Sequence, residues 1–200
     1  MKEMVVPCRR GDTERLLAHL RGKVFHLTSL SAYRTIRETG KILHNKDSRF
    51  DLNTSSENSF GRLMGYVCLF DLRNDSPDLI QHVLSCYYFL DPRWFQKQKG
   101  SWIISELAYL LLNPYFYDKI IPNSRAGDHY KATEQWLQRI PRGEVWMEDH
   151  VPLEWVDTVI LTRRVKRAPA PNSLLGLVQR IKRKEFKSMS GLEEPATSVE

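Results

Sequence analysis

His26 stands in the middle of a short apolar, strand-like stretch, Val24-Phe25-His26-Leu27-Thr28. An imidazole there has two uses. It is a core group satisfied by a partner, or a polar atom delivered to a cleft. Glu144 lies far down the chain and heads a second short strand-like stretch, Glu144-Val145-Trp146-Met147, directly after Gly143. A carboxylate at a strand mouth can stabilise developing positive charge and orient a nucleophile. As an exposed strand-end group it does neither. The pairing to test is His26 and Glu144 facing each other across one cleft. Glu148 is a rival carboxylate. Side chains of an extended strand repeat every two residues, so Glu144 and Glu148 point to the same side. Glu144 is preferred because it follows the turn from Pro141 to Gly143, where a cleft mouth is expected.

Several chemistries are excluded by spacing. No glycine-rich phosphate loop is present. No two histidines stand at metal-ligand spacing with a carboxylate, so no metal site is expected. A histidine followed two residues later by Thr or Ser occurs once, at His26 and Thr28, whereas the two-histidine phosphodiesterases need two such triplets. At that place His19, His44, His82, His129 and His150 are followed by Arg, Lys, Leu, Lys and Pro. Cys8, Cys68 and Cys86 are odd in number and lack metal spacing; Cys68 and Cys86 read as reduced core residues.

The elements that must position these groups follow from periodicity and punctuation. Asp12 caps a helix through Leu16, Leu17 and Leu20 that ends at Gly22. After the His26 strand, Ser29 or Ser31 caps a helix with Leu30, Tyr33 and Ile36 on one side, ended by Gly40. A short strand over residues 41–44 precedes a long polar loop, 45–58. Ser59-Phe60-Gly61 leads into Tyr66-Val67-Cys68-Leu69-Phe70, a run suited to a central strand covered on both faces. Pro77 opens a helix, and residues 86–90 read as a strand. Residues 102–112 read as a strand and then a helical turn, stopped at Pro114. Residues 115–131 are irregular, and a helix through Trp136 and Leu137 precedes Pro141. Strands at 144–147 and 157–162 flank a tight turn at 152–155. The fold class is α+β, with several short strands.

A chain of 200 residues suits one domain with a sizeable core. No apolar run approaches the roughly 20 residues needed to span a bilayer, so no membrane partner is expected. The first residues lack a signal-peptide core, and a cytoplasmic location is expected. The net charge of +6 is local: from Arg163 to Ser188 there are nine Lys or Arg and one Glu, which leaves 21 basic and 23 acidic residues elsewhere. The boundary is drawn at residues 1–167 and 168–200, with Ala168-Pro169-Ala170-Pro171 as a stiff linker. Beyond it, Leu174, Leu177, Val178 and Ile181 describe a basic amphipathic helix, followed from Ser188 by a small, polar tail expected to lack fixed structure. The basic segment from Arg163 to Lys187 either contacts phosphate or an anionic surface, or is a solvated helix that contacts nothing.

Between Val24 and Leu161 the chain resembles the ADP-ribosyltransferase superfamily. The pieces are Phe25-His26-Leu27-Thr28, the passage from Ile36 to Ile42, Ser59-Phe60-Gly61 with Gly65 and Phe70, and Gly143-Glu144-Val145-Trp146-Met147 followed by Val151-Pro152-Leu153. The last piece is most similar to the DarT-type enzymes that modify DNA, and the histidine-x-threonine start is similar to tRNA 2′-phosphotransferases of the same fold. The resemblance implies a split, mostly antiparallel sheet with flanking helices that grips NAD as substrate in its cleft. It places His26 on a ribose hydroxyl, the Leu27 backbone on the nicotinamide amide, and Thr28 on the same cofactor-binding strand. Phe60 matches the place of an aromatic ring, usually tyrosine, stacked on nicotinamide, with Ser59 and Arg62 as nearby polar contacts. Glu144 matches the family glutamate. The implied function is NAD-dependent ADP-ribosyl transfer, and the basic segment from Arg163 to Lys187 makes nucleic acid the favoured acceptor. Two other readings stay open. One is an RNA 2′-phosphotransferase, whose additional phosphate-holding basic residues are not placed here. The other is a non-catalytic nucleic-acid or protein binding module on the same fold.

Overall fold

A computed structural model describes residues 1–8, 13–50, 59–86, 95–98, 101–104, 106–126 and 142–164. In chain order the elements are β1 (Lys2–Cys8), α1 (Thr13–Leu20), β2 (Val24–Ser29), α2 (Leu30–Thr39), β3 (Lys41–Leu43), α3 (Phe60–Met64), β4 (Tyr66–Asp71) and α4 (Pro77–Cys86). There follow β5 (Phe95–Gln98), β6 (Ser101–Ile104), β7 (Leu107–Leu112), a 3-10 turn (Pro114–Lys119), β8 (Glu144–Glu148), β9 (His150–Pro152), a second 3-10 turn (Leu153–Trp155) and β10 (Val156–Arg164). Six strands form one open sheet in the order β1-β10-β7-β2-β4-β8. Among the described residues only β1 and β10 run parallel; every other neighbouring pair in this sheet is antiparallel. The protein is therefore mixed α+β, with a mostly antiparallel open sheet and flanking helices.

Pleat alternation sorts the sheet into two faces. On one, Phe25, Phe70, Tyr109 and Leu111 pack with Leu16, Leu17 and Leu20 of α1 and Ile80 and Val83 of α4. On the other, Val24, Leu69, Leu110 and Val145 pack with Tyr33 and Ile36 of α2, Ile42 of β3 and Val151 of β9. The ends of α2 are chemically determined. The Ser29 hydroxyl accepts from the Ala32 amide at 3.1 Å, and Gly40 closes the helix at φ 70°.

Three expectations change. β1 was not foreseen; its partner β10 lies at the far end of the chain, and nothing local in Met4-Val5-Val6 announces a parallel pairing. Residues 107–112 are strand throughout, with no helical turn, because all six are buried between β10 and β2. Short apolar runs of this kind do not reveal their period. Cys86 ends α4 and is exposed; it is neither the start of a strand nor a core residue. The cap at Asp12, the rest of the strand expected at 86–90, the helix at Trp136 and Leu137, the boundary at 167 and the segment beyond it lie outside the described residues. No helix among the described residues is long and apolar enough to cross a membrane.

Candidate functional site

The sheet parts where His26 stands. β2 and β4 pair only at Val24–Asp71 and Phe25–Phe70. Beyond that point β2 continues with β7 through Ser29, while β4 runs with β8. Had the ladder continued, the Cys68 carbonyl would have faced the β2 backbone. Instead it accepts a hydrogen bond from His26 Nδ1 at 2.9 Å. A carbonyl can only accept, so Nδ1 carries the proton and Nε2 keeps its lone pair. Burial lowers the His26 pKa below its ordinary value, against the opposing pull of that hydrogen bond. The ring is thus held neutral, as a fixed tautomer with an acceptor nitrogen.

This state has a pH consequence. A depressed folded-state pKa means that the unfolded chain binds the extra proton first. Stability is therefore full above about pH 6.5, the ordinary histidine value, and falls as pH drops below it, by up to about 1.4 kcal/mol per pH unit for one such group. Thermal melts between pH 8 and pH 5 are expected to show a shallower decline for His26→Gln than for the wild type. Parallel curves would mean that His26 is not the group being titrated.

Glu144 is not the exposed strand-end carboxylate that its place in the sequence suggests. It is 7% exposed. Its Oε1 accepts from the Trp146 indole Nε1–H at 2.9 Å and from the Cys68 thiol at 3.6 Å. Residues two apart on a strand share a face, which makes the Glu144–Trp146 contact a direct result of β geometry. Cys68 joins them because it pairs with Trp146 across β4 and β8. Burial first, and the charge of Glu144 second, push the Cys68 thiol up. It stays protonated and acts as a donor, not a nucleophile. The Ser59 hydroxyl, at the N-terminus of α3, makes no cap bond, and its influence on this thiol opposes the upward shift. Gly61 lets α3 lie this close: a Cβ there would sit 2.7 Å from Trp146 Cδ1 and collide with Cys68 Sγ. In the native protein, iodoacetamide is expected to modify the exposed Cys86 and to spare Cys68 until unfolding. Equal labelling rates at the two would contradict this arrangement.

The pairing of His26 with Glu144 takes a different form from a face-to-face cleft. Phe25, Phe70 and Glu144 lie in one register row, so Glu144 shares their face of the sheet and His26 takes the other. Cys68 stands between them: its carbonyl holds the imidazole and its thiol holds the carboxylate. Glu148 shares the Glu144 face, as expected, but is exposed at the Tyr66 end of β4. Leu27 and Thr28 pair with Tyr109 and Ala108 of β7 and are half-buried. Phe60 is 3% exposed, with its ring centroid 4.4 Å from that of Trp146. It is core under α3, and packing leaves it no open face for a stacked ring. The Arg62 guanidinium donates from Nε to the Asn45 carbonyl and from Nη2 to the Ser48 hydroxyl, at 3.1 and 2.6 Å. Sequence reasoning missed Cys68 and Trp146 as site residues. Their signal was the alternation in the two runs, which sends both to the Glu144 face.

The result is a class of structure: a mixed α+β protein whose open sheet carries a neutral histidine at a strand parting and, two strands over, a buried, hydrogen-bonded carboxylate. Among the described residues no group of three or more His, Cys, Asp or Glu is arranged to hold a metal ion. Comparison with protein-family models, with curated proteins and with solved structures finds no match.

Proposed function

We propose that this chain is an NAD-dependent ADP-ribosyltransferase with a nucleic-acid acceptor, on an ADP-ribosyltransferase-type fold. The observation that carries the reading is the parting of β2 from β4, with the His26 imidazole set across it. In a strand, alternate backbone groups point to opposite edges, so past Phe25 half of those on β2 turn toward the parting. In this reading they take the nicotinamide amide at Leu27, and His26 Nε2 accepts from a ribose hydroxyl. The glycosidic C–N bond breaks, nicotinamide departs as a neutral base, and the acceptor bonds to the ribose carbon and releases a proton. In this reading Glu144, on the far side of Cys68 from His26, supplies its negative charge to the cationic ribose across β4 and not by contact; in surroundings largely withdrawn from water that charge acts more strongly than in bulk solvent.

One observation favours the binding-module reading. The Glu144 carboxylate is already bonded to Trp146 and Cys68, as a structural polar group would be. The two are separated by incubating the full-length protein with NAD and measuring free nicotinamide, with and without a single-stranded oligonucleotide. Release that rises with protein concentration supports the enzyme. No release, with oligonucleotide bound, supports the module.

A further inference from the structure

The loop after β3 is held far more firmly than a surface loop requires. The Asn45 side chain closes it, donating from Nδ2 to the Phe50 carbonyl and accepting from the Phe50 amide at Oδ1, both at 3.0 Å. Arg62 clasps it from α3 at the Asn45 carbonyl and the Ser48 hydroxyl. Ser48 turns the backbone at φ 54°, and the Lys46 amide bonds His44 Nδ1 at 3.2 Å. A loop tied at this many points would ordinarily fold its one aromatic ring inward. Phe50 is instead 40% exposed. Lys46 on the same loop is exposed, and the Arg49 side chain is 58% exposed. Asp47 is the one acid in residues 44–50 and pairs with Arg49 at 3.0 Å. An exposed pair of this kind is weak and exchanges readily. The loop also has a place relative to the strand parting. A Cβ on Gly65 would lie 3.1 Å from Lys46 Cδ, which sets the lysine stem at the Tyr66 end of β4. That is the end at which β4 has left β2.

We propose that residues 44–50 form a preorganised surface for a single-stranded nucleic acid, with Phe50 stacked on a base and Lys46 and Arg49 on flanking phosphates. A fixed, exposed ring on a loop that also carries two exposed cations matches the general chemistry of single-strand binding: every base has a π face, and the backbone supplies the charge. The inference rests on the proposed activity for its meaning as an acceptor site, but binding is measured without turnover. The shared chemistry of a ring and a phosphate is also found in NAD, so the experiment carries both ligands.

The full-length protein is titrated into a fluorescein-labelled twelve-nucleotide single strand, and NAD affinity is measured in parallel by calorimetry. Phe50→Ala is expected to weaken oligonucleotide binding about tenfold, Phe50→Trp to preserve it, and neither to change NAD affinity or melting temperature. The double variant Lys46→Ala/Arg49→Ala is expected to reduce the slope of log affinity against log salt by about 1.4, two single-strand phosphate contacts. A full-length variant with Arg180, Lys182, Arg183 and Lys184 changed to Ala serves as comparison. The proposal is overturned if no oligonucleotide binds, if only the comparison variant weakens binding, or if Phe50→Ala weakens NAD and spares the oligonucleotide. Should the wild type release no nicotinamide yet lose the oligonucleotide through Phe50→Ala, the surface stands and the enzymatic reading falls.

Discussion

Glu144→Gln is expected to slow nicotinamide release from NAD about a hundredfold, in line with removal of one preorganised electrostatic group, while NAD affinity changes little. In the proposed reaction the carboxylate acts on charge that exists only as the glycosidic bond breaks, so its loss would appear in the rate and not in ground-state binding. The structure also specifies why glutamine is the right probe. The buried Trp146 N–H needs an acceptor, and the glutamine carbonyl can keep it. Glu144→Ala removes that acceptor and leaves a buried donor unsatisfied, at a cost of about 1–3 kcal/mol in stability. The glutamine variant therefore separates catalysis from folding, and the alanine variant does not. Glu148→Gln, at an exposed position, is expected to retain most of the activity. A dead Glu148→Gln beside an active Glu144→Gln would transfer the catalytic role to Glu148.

How much of this was legible in sequence depends on how local the cause is. α2 was fixed at both ends by its own residues, Ser29 and Gly40; Gly40 was readable, and the N-cap was narrowed to Ser29 or Ser31. β4 and β8 were readable as apolar runs, and Pro77 opens α4 as expected. What escaped was set by pairing across long separations. β1 finds β10 only in three dimensions. The burial of Glu144 follows from α3 and Phe60 lying over its face of the sheet. A residue heading a strand looks exposed in sequence because the helix that covers it is coded some 80 positions earlier. The Cys68 carbonyl that fixes His26 belongs to a backbone, and backbone atoms carry no sequence signal at all. The α+β class and the positions of His26 and Glu144 on two strands were thus visible, and Cys68 and Trp146, through which they are held, were not.

Phe60→Ala is expected to destabilise the protein by about 3–5 kcal/mol, the cost of lost burial plus the cavity left behind. For a chain of this size that is a fall of roughly 6–20 °C in melting temperature. The ring is enclosed by Trp146, with centroids 4.4 Å apart, by Tyr66, edge-on at 6.2 Å, and by the fully buried Ala126. Backbone ties on the β8 edge, between Ile121 and Trp146, limit how far the strand can move in to fill the space. The resemblance to ADP-ribosyltransferases makes the opposite forecast. A ring stacked on nicotinamide would tolerate Phe60→Tyr, and Phe60→Ala would weaken NAD binding more than stability. In the packed position tyrosine must bury a new hydroxyl, which costs about 1–3 kcal/mol unless it finds a partner. The pair of variants therefore decides the role of the residue. A large loss of melting temperature for Ala, a smaller one for Tyr, and unchanged NAD affinity in the folded fraction make Phe60 the support beneath Trp146 and Glu144. A normal melting temperature with weakened NAD binding would return it to the cofactor.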